Sequence, residues 1–335
     1  LAQTLRKIAA GGRDAFYTGE VAEDIVARLT ELGGLHTLDD FADAQVEYVE
    51  PIQTTYKGHT IHECPPNGQG ICVLMILNIL ARHDVAALSE ADRVHLFAEA
   101  AKVTYHQRDK HISDPTLADI PIEWLLSTEH ATKLDGMIDR KRAGNFHTSE
   151  FPNHTDTTYL CVVDRDGNAV SFINSLFSGF GSGIMAEKTG IILQNRGSSF
   201  RVDADHVNRI EGKKRPMHTI IPGMVMRDDK IVAPFGVMGG HYQPMGHAYV
   251  LSNWFDYGLD LQESVDAPRF QPIEHKLGIE RGIDESVRSV LREMGHELEV
   301  QDAPFGGAQC IFIDWENDVL QASSEPRKDG CALGY

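Results

Sequence analysis

A polar tract, Ala143–Thr155, separates two stretches of chain with different hydrophobic rhythms, and this change constrains the fold more than any other feature. Ahead of the tract, apolar residues recur every three or four positions. The spacing predicts helices over Leu1–Ala10, Gly19–Leu32, Ile71–Arg82, Ser89–Arg108 and Ile122–Arg142. Thr37-Leu-Asp-Asp40 offers a capping hydroxyl followed by acids, which opens a short helix. Thr54–Glu63 alternates as a strand, and Pro65-Pro66-Asn67-Gly68 breaks the chain before the next helix. Beyond the tract, Thr157–Val163 and Ala169–Leu176 read as strands joined by the turn Asp164-Arg165-Asp166-Gly167-Asn168. Further strands are predicted at Gly190–Leu193, Gly223–Arg227, Lys230–Phe235 and Ala308–Asp314. Helices return at Gly246–Asp256, Leu261–Ala267 and Asp284–Met294. A helical half followed by hairpins and terminal helices predicts a layered α+β protein rather than a doubly wound one.

With 335 residues, 42% hydrophobic and 24% charged, the chain has the profile of a soluble globular protein with ample core. A formal charge of −18 argues against nucleic acid, whose phosphates would be repelled. The apolar run Ile71–Leu80 is shorter than the roughly 20 residues that cross a bilayer, so no membrane role is predicted. Five cysteines without a CxxC pair predict neither a disulfide framework nor a zinc site. They point to a reducing compartment, cytoplasmic rather than periplasmic. Leu1–Ala10 reads as an amphipathic helix and not as a signal peptide.

A threonine becomes a strong nucleophile when a base removes its proton, and its own free α-amine can serve as that base. An α-amine titrates near about 7.7–8.0, so it accepts a proton at physiological pH. Such a threonine must be freed by cutting the preceding peptide bond. The expected pattern is a polar tract, then a hydroxyl residue, then a buried strand. His154-Thr-Asp-Thr157-Thr-Tyr-Leu-Cys-Val-Val163 follows it. On residue chemistry alone Thr155, Thr157 and Thr158 compete, and an ordinary strand-starting threonine is by far the commoner source of such a pattern.

Thr157-Thr-Tyr-Leu-Cys-Val-Val-Asp-Arg-Asp-Gly-Asn-Ala-Val170 resembles the segment that opens the small subunit of γ-glutamyltranspeptidases. Phe180-Gly-Ser-Gly-Ile184, Gly190-Ile-Ile-Leu-Gln-Asn195, Lys214-Arg-Pro216 and Gly239-Gly240 follow in the family's order. Asp14-Ala-Phe-Tyr17, Pro65-Pro66 and Arg108-Asp109 extend the likeness upstream. Asp266-Ala-Pro-Arg-Phe270 and Glu325-Pro-Arg327 to Gly334-Tyr335 extend it to the C-terminus. Pro65-Pro-Asn-Gly-Gln-Gly70, Gln194-Asn-Arg-Gly197 and His218-Thr-Ile-Ile-Pro222 look most like the bacterial glutathione-hydrolase-like proenzymes.

The resemblance implies an αββα sandwich of the N-terminal-nucleophile hydrolase class, incomplete in this chain. Residues 1–156 would be the C-terminal portion of a large subunit, and 157–335 the small subunit. Thr157 would be the nucleophile and Asp156–Thr157 the bond that the precursor cuts in itself. Ser175 matches a threonine that supports the nucleophile, and Gly239 and Gly240 match the backbone donors of the oxyanion site. The implied reaction is acyl transfer from γ-glutamyl amides such as glutathione to water or an amine, with no cofactor and no metal. The early part of the large subunit, with its carboxylate-binding arginine, is missing from this sequence, being either a separate polypeptide or a segment cut from the same one. Its absence would leave a sheet edge open to association with a second copy.

Several substrate-binding positions depart from the family. Phe177 stands where the family has Asn, Arg196 where it has Gln or Glu, and Ser199 where it has Asp. His218 and Thr219 replace paired serines. Losing the Asp removes a counter-ion for the substrate ammonium, whereas Arg196 suits a carboxylate. This motivates a second reading, a cephalosporin- or glutaryl-acylase-like amidase, and a third is a silent piece that never matures. The glycines of Gly179-Phe-Gly181-Ser-Gly183 lack the ending of a phosphate loop. His206, His218, His241 and His247 match no metal-ligand spacing. Glu99-Ala-Ala-Lys102 with Arg108-Asp109 reads as an exposed, charge-paired helix face.

Overall fold

The computed structural model describes residues 1–146 and 155–335, with the side chains of Thr155 and Asp156 outside that description. Most of the predicted polar tract therefore lies outside the described residues. In chain order the helices and strands are α1 (Ala2–Gly11), α2 (Asp14–Tyr17), α3 (Glu20–Glu31), α4 (Leu38–Ala42), β1 (Ile52–Tyr56), β2 (His59–Glu63), α5 (Gly70–Leu80), α6 (Glu90–His111), α7 (Ile122–Leu125) and α8 (Thr128–Asp135). Then come β3 (Thr155–Val163), β4 (Ala169–Ser178), β5 (Gly223–Arg227), β6 (Lys230–Met238), α9 (Gln243–Phe255), α10 (Leu261–Asp266), β7 (Phe270–Ile273), β8 (Lys276–Ile279), α11 (Glu285–Glu293), β9 (Glu297–Val300), β10 (Gly307–Asp314) and β11 (Val319–Ser324).

These elements group into two compact units. One comprises Leu1–Val49 and Leu176–Arg196, and the other Glu50–Ser175 and Gly197–Tyr335. The smaller unit has its own apolar centre, in which Val21, Ile25 and Ala186 are buried against Phe16, Leu29, Phe41, Ile191 and Leu193. Asp24 ties its two segments together by accepting bonds from Lys188 N (3.1 Å), Thr189 N (2.8 Å) and Thr189 Oγ1 (2.8 Å).

The larger unit is built on a six-stranded sheet of order β1-β2-β5-β6-β10-β11, in which adjacent strands run antiparallel. Helix α5, apolar but for Asn78, is buried on nearly every side between this sheet and helices α6 and α9. Successive residues of β6 point to opposite faces. Val237 meets α9, where a side chain at Gly246 would lie 2.8 Å from Val237 Cγ1, whereas Gly236 lies under the Tyr159 ring of β3. The sheet is thus layered between helices and the β3–β4 hairpin, as the predicted sandwich requires.

Several sequence expectations change. Thr54–Glu63 is two strands, because Lys57 (φ 49°) and Gly58 (φ 76°) make a two-residue hairpin turn. The single helix predicted over Ile122–Arg142 is α7 and α8, divided where Ser127 caps the second by accepting from His130 N at 3.1 Å. Gly190–Leu193 is not a strand and contributes only an isolated bridge, Met185↔Ile192. The short strands β7, β8 and β9 escaped prediction because four residues are too few to display a period.

Candidate functional site

Strand β3 sets the register of the threonines. Thr157 and Tyr159 are buried, while Thr158 and Leu160 are exposed. Of the two threonines whose side chains are described, only Thr157 therefore faces inward. Its side chain is 6% exposed, and its hydroxyl donates to Ser175 Oγ of β4 at 3.2 Å. Tyr159 anchors the same hairpin. Its hydroxyl pairs with Ser171 Oγ at 2.8 Å, and Ser171 Oγ donates to Phe235 O of β6 at 3.2 Å. The hairpin thereby rests on β6 and β10 and reaches the turn Gly240–Tyr242 that follows β6.

That turn begins with consecutive left-handed glycines, Gly239 (φ 128°) and Gly240 (φ 59°). A β-carbon on Gly239 would lie 2.8 Å from Gly306 Cα and 3.2 Å from Gly306 N, ahead of the neighbouring strand β10. Gly239→Ala is therefore expected to lower stability by about 1–3 kcal/mol through backbone strain alone. Urea denaturation measures this, and an unchanged midpoint would show that the turn accommodates a side chain. Thr157, Ser175, Gly239 and Gly240 thus all belong to the larger unit, on elements that pack together.

The sequence-predicted substrate residues divide between the units. In the larger one, Ser199 is half-buried and its carbonyl accepts from Asn208 Nδ2 at 2.8 Å. His218 N donates to Asn67 O at 3.1 Å, and buried Thr219 uses its carbonyl to accept from Gln69 Nε2 at 3.0 Å. Pro65–Gly70 and His218–Pro222, two motifs quoted for their subgroup likeness, therefore run side by side. In the smaller unit Phe177 is buried at φ 82°, and the Arg196 guanidinium sits over its ring at 5.4 Å. Burial depresses Arg196 to about 10, which leaves it protonated at neutral pH.

The profile of gamma-glutamyltranspeptidases matches the chain from residue 1 to 335. The chain belongs to the gamma-glutamyltranspeptidase family. It is 37% identical to the glutathione hydrolase-like YwrD proenzyme of Bacillus subtilis and 34% identical to the oxamate amidohydrolase proenzyme of Klebsiella pneumoniae. Both matches cover 100% of this chain and 65% of the relative, so the chain spans somewhat under two thirds of their length. The crystal structure of a cephalosporin acylase from Bacillus halodurans superposes with a TM-score of 0.92 at 37% identity, covering 100% of this chain and 62% of that one. The N-terminal-nucleophile hydrolase fold of the family is thus the fold of this chain.

Two buried polar clusters of this transpeptidase-family chain were misread or missed in sequence. Glu99 and Lys102, expected on an exposed face, are buried with Arg108 because α6 is enclosed by its neighbours. Lys102 Nζ donates to Glu99 Oε1 at 2.7 Å, and Gly144 N donates to Oε2 at 2.9 Å. Next to them, His95 Nε2–H donates to Asp139 O (2.8 Å), so its Nδ1 accepts from His296 Nε2–H (2.8 Å). Burial, with Lys102 and His95 nearby, lowers His296 to about 3 and keeps it neutral. His95, Glu99 and His296 form the one group among the described residues spaced to hold a metal. The His95 nitrogens and both Glu99 oxygens are already bonded, and an ammonium adjoins them, so the cluster reads as a buried crosslink. No metal spacing flagged the second pair. His247 accepts from Val237 N at Nε2 (3.0 Å) and pairs through Nδ1 with Glu63 Oε1 (2.8 Å), bracing β6 just before Gly239.

No helix among the described residues is long and apolar enough to cross a membrane.

Proposed function

We propose that this chain carries the reaction centre of a self-processing N-terminal-threonine amidohydrolase acting on γ-glutamyl-type amides such as glutathione. The reading is supported above all by buried Thr157, whose hydroxyl meets Ser175 on a hairpin packed against the strand that ends in Gly239-Gly240.

In maturation, Thr157 Oγ1 attacks the Asp156 carbonyl carbon while the hydroxyl proton passes to the departing amide nitrogen. The C–N bond breaks, leaving an ester between Asp156 and Thr157. Water then hydrolyses that ester, releasing the Asp156 carboxylate and restoring the Thr157 hydroxyl, now beside a free α-amine. In turnover that amine takes the hydroxyl proton as Oγ1 attacks the substrate amide. The N–H groups of Gly239 and Gly240 stabilise the oxyanion, and the proton moves to the leaving amine. Water or an amine resolves the acyl-enzyme. Residues 1–156 would supply part of the large subunit and 157–335 the small subunit.

A second reading rests on Arg196, whose charge suits an acyl group ending in a carboxylate rather than in an amino acid. It makes the protein a glutaryl-acylase-like amidase on the same machinery. Comparing hydrolysis of γ-glutamyl-p-nitroanilide and glutaryl-p-nitroanilide by the complete native protein separates the two. The first reading expects the γ-glutamyl compound to have the larger kcat/KM. A reversed preference of tenfold or more, about 1.4 kcal/mol of transition-state discrimination, would replace it with the second.

A further inference from the structure

The turn that carries the proposed oxyanion donors is gripped from behind by residues on the other side of residue 157. Gln69 is the N-cap residue of α5, yet its side chain makes no capping bond to that helix. Its amide instead reaches across to two carbonyls, with Nε2 donating to Gly240 O at 2.9 Å and to Thr219 O at 3.0 Å. Its Oε1 accepts from Arg108 Nη1 at 3.0 Å, which fixes the orientation of the amide. Arg108 Nη1 also lies 3.0 Å from His241 Nδ1, and Tyr105 Oη donates to His241 O at 2.8 Å. Gln69, Tyr105, Arg108 and Thr219 are each no more than 1% exposed.

Gly239 and Gly240 have no side chains with which to hold themselves in place. The orientation of their N–H groups depends on how the peptides on either side are pinned. Gln69 fixes the carbonyl that follows Gly240 N, and Tyr105 fixes the next one. We propose that Gln69, backed by Arg108 and Tyr105, is a positioning residue that aims the Gly239–Gly240 donors at the developing oxyanion. The inference rests on the assignment of those glycines under the proposed function. It adds that the clamp spans the cleaved bond. Gln69, Tyr105 and Arg108 belong to the piece before Thr157, and Thr219, Gly240 and His241 to the piece after it. An aligned oxyanion site would then require both pieces to remain docked.

A clamp that acts on the oxyanion affects the transition state and not the bound substrate. Gln69→Glu keeps a partner for Arg108 but turns a donor into an acceptor facing two carbonyls. In the complete native protein it is expected to lower kcat on the order of 10²-fold, the effect of losing or misplacing one oxyanion donor, with KM within about threefold. Tyr105→Phe removes a single hydroxyl and is expected to lower kcat about tenfold with KM unchanged. It answers the question if the Gln69 variant does not accumulate. Loss of thermal stability with a normal kcat in either variant would reduce the network to a structural role and overturn the proposal. The parallel Thr157→Ala protein separates the two layers. If it loses activity while Gln69→Glu keeps it, the positioning role fails and the reaction class stands. If Thr157→Ala is as active as the parent, the reaction class fails.

Discussion

Thr157→Ala in the complete native protein is expected to remain a single uncut chain at residue 157 and to lose amidase activity on the order of 10⁶-fold, as when other catalytic hydroxyls are removed. The parent is expected to yield a fragment whose first residue is Thr157. The two losses share one cause. The hydroxyl that attacks the Asp156 carbonyl in the precursor is the hydroxyl that attacks substrate in the mature enzyme. Folding is expected to survive, because the bond that the Thr157 hydroxyl makes among the described residues, to Ser175 at 3.2 Å, is worth about 0.5–1.5 kcal/mol. Thr157→Ser keeps the attacking oxygen but loses the β-branch that restricts χ1, so it is expected to mature more slowly and reach the same end-point. N-terminal sequencing and intact mass after long incubation decide the matter. A new N-terminus at Thr155 or Thr158 would show the register to be wrong. Full activity with the 156–157 bond intact would remove the mechanism altogether.

What could be read from the residues alone followed from how far each feature depends on local chemistry. The β3–β4 hairpin announced itself through two strand-like runs and the turn Asp164–Asn168 between them, and its inward face singles out Thr157 over Thr158 as soon as a register exists. Helix α6 shows the opposite case. Its Glu99, Lys102 and Arg108 carry the residue types of a solvated face, and nothing in their spacing tells that the helix is surrounded. Burial there is a tertiary fact, made tolerable by partners as distant in sequence as Gly144 and His241. The same applies to Gln69. In sequence it belongs to a chain-breaking Pro-Pro-Asn-Gly segment, and its contacts lie about 150 and 171 positions downstream. Long-range side-chain bonds of this kind leave no period behind.

Arg269→Met is expected to destabilise the fold by about 3–5 kcal/mol, the range for removing one partner of a buried ion pair. Arg269 is 1% exposed and joins two of the motifs by which the family was recognised, Asp266–Phe270 and Glu325–Arg327. Its guanidinium donates to Glu325 Oε2 at 2.5 Å, to Phe305 O at 2.9 Å and to Val265 O at 2.9 Å. Glu325 also accepts from Ala308 N of β10 at 2.8 Å and from Arg327 at 2.7 Å. Methionine would fill much of the volume but leave two carbonyls and part of a carboxylate without their donor. The Glu325 carboxyl also titrates. Burial alone would raise the Glu325 carboxyl, but the charge of Arg269 and the bonds from Arg327 and Ala308 outweigh it and hold the group below its ordinary 4.5. A carboxyl depressed in the folded state stabilises the protein above its unfolded value and loses that contribution as pH falls through the folded one. The melting temperature of the parent should therefore drop on acidification below about 4.5. Glu325→Gln should start lower at neutral pH and show a shallower acid slope. Parallel melting curves for the parent and Glu325→Gln from pH 7 to pH 3 test this, and equal acid slopes would show that other carboxylates carry the effect.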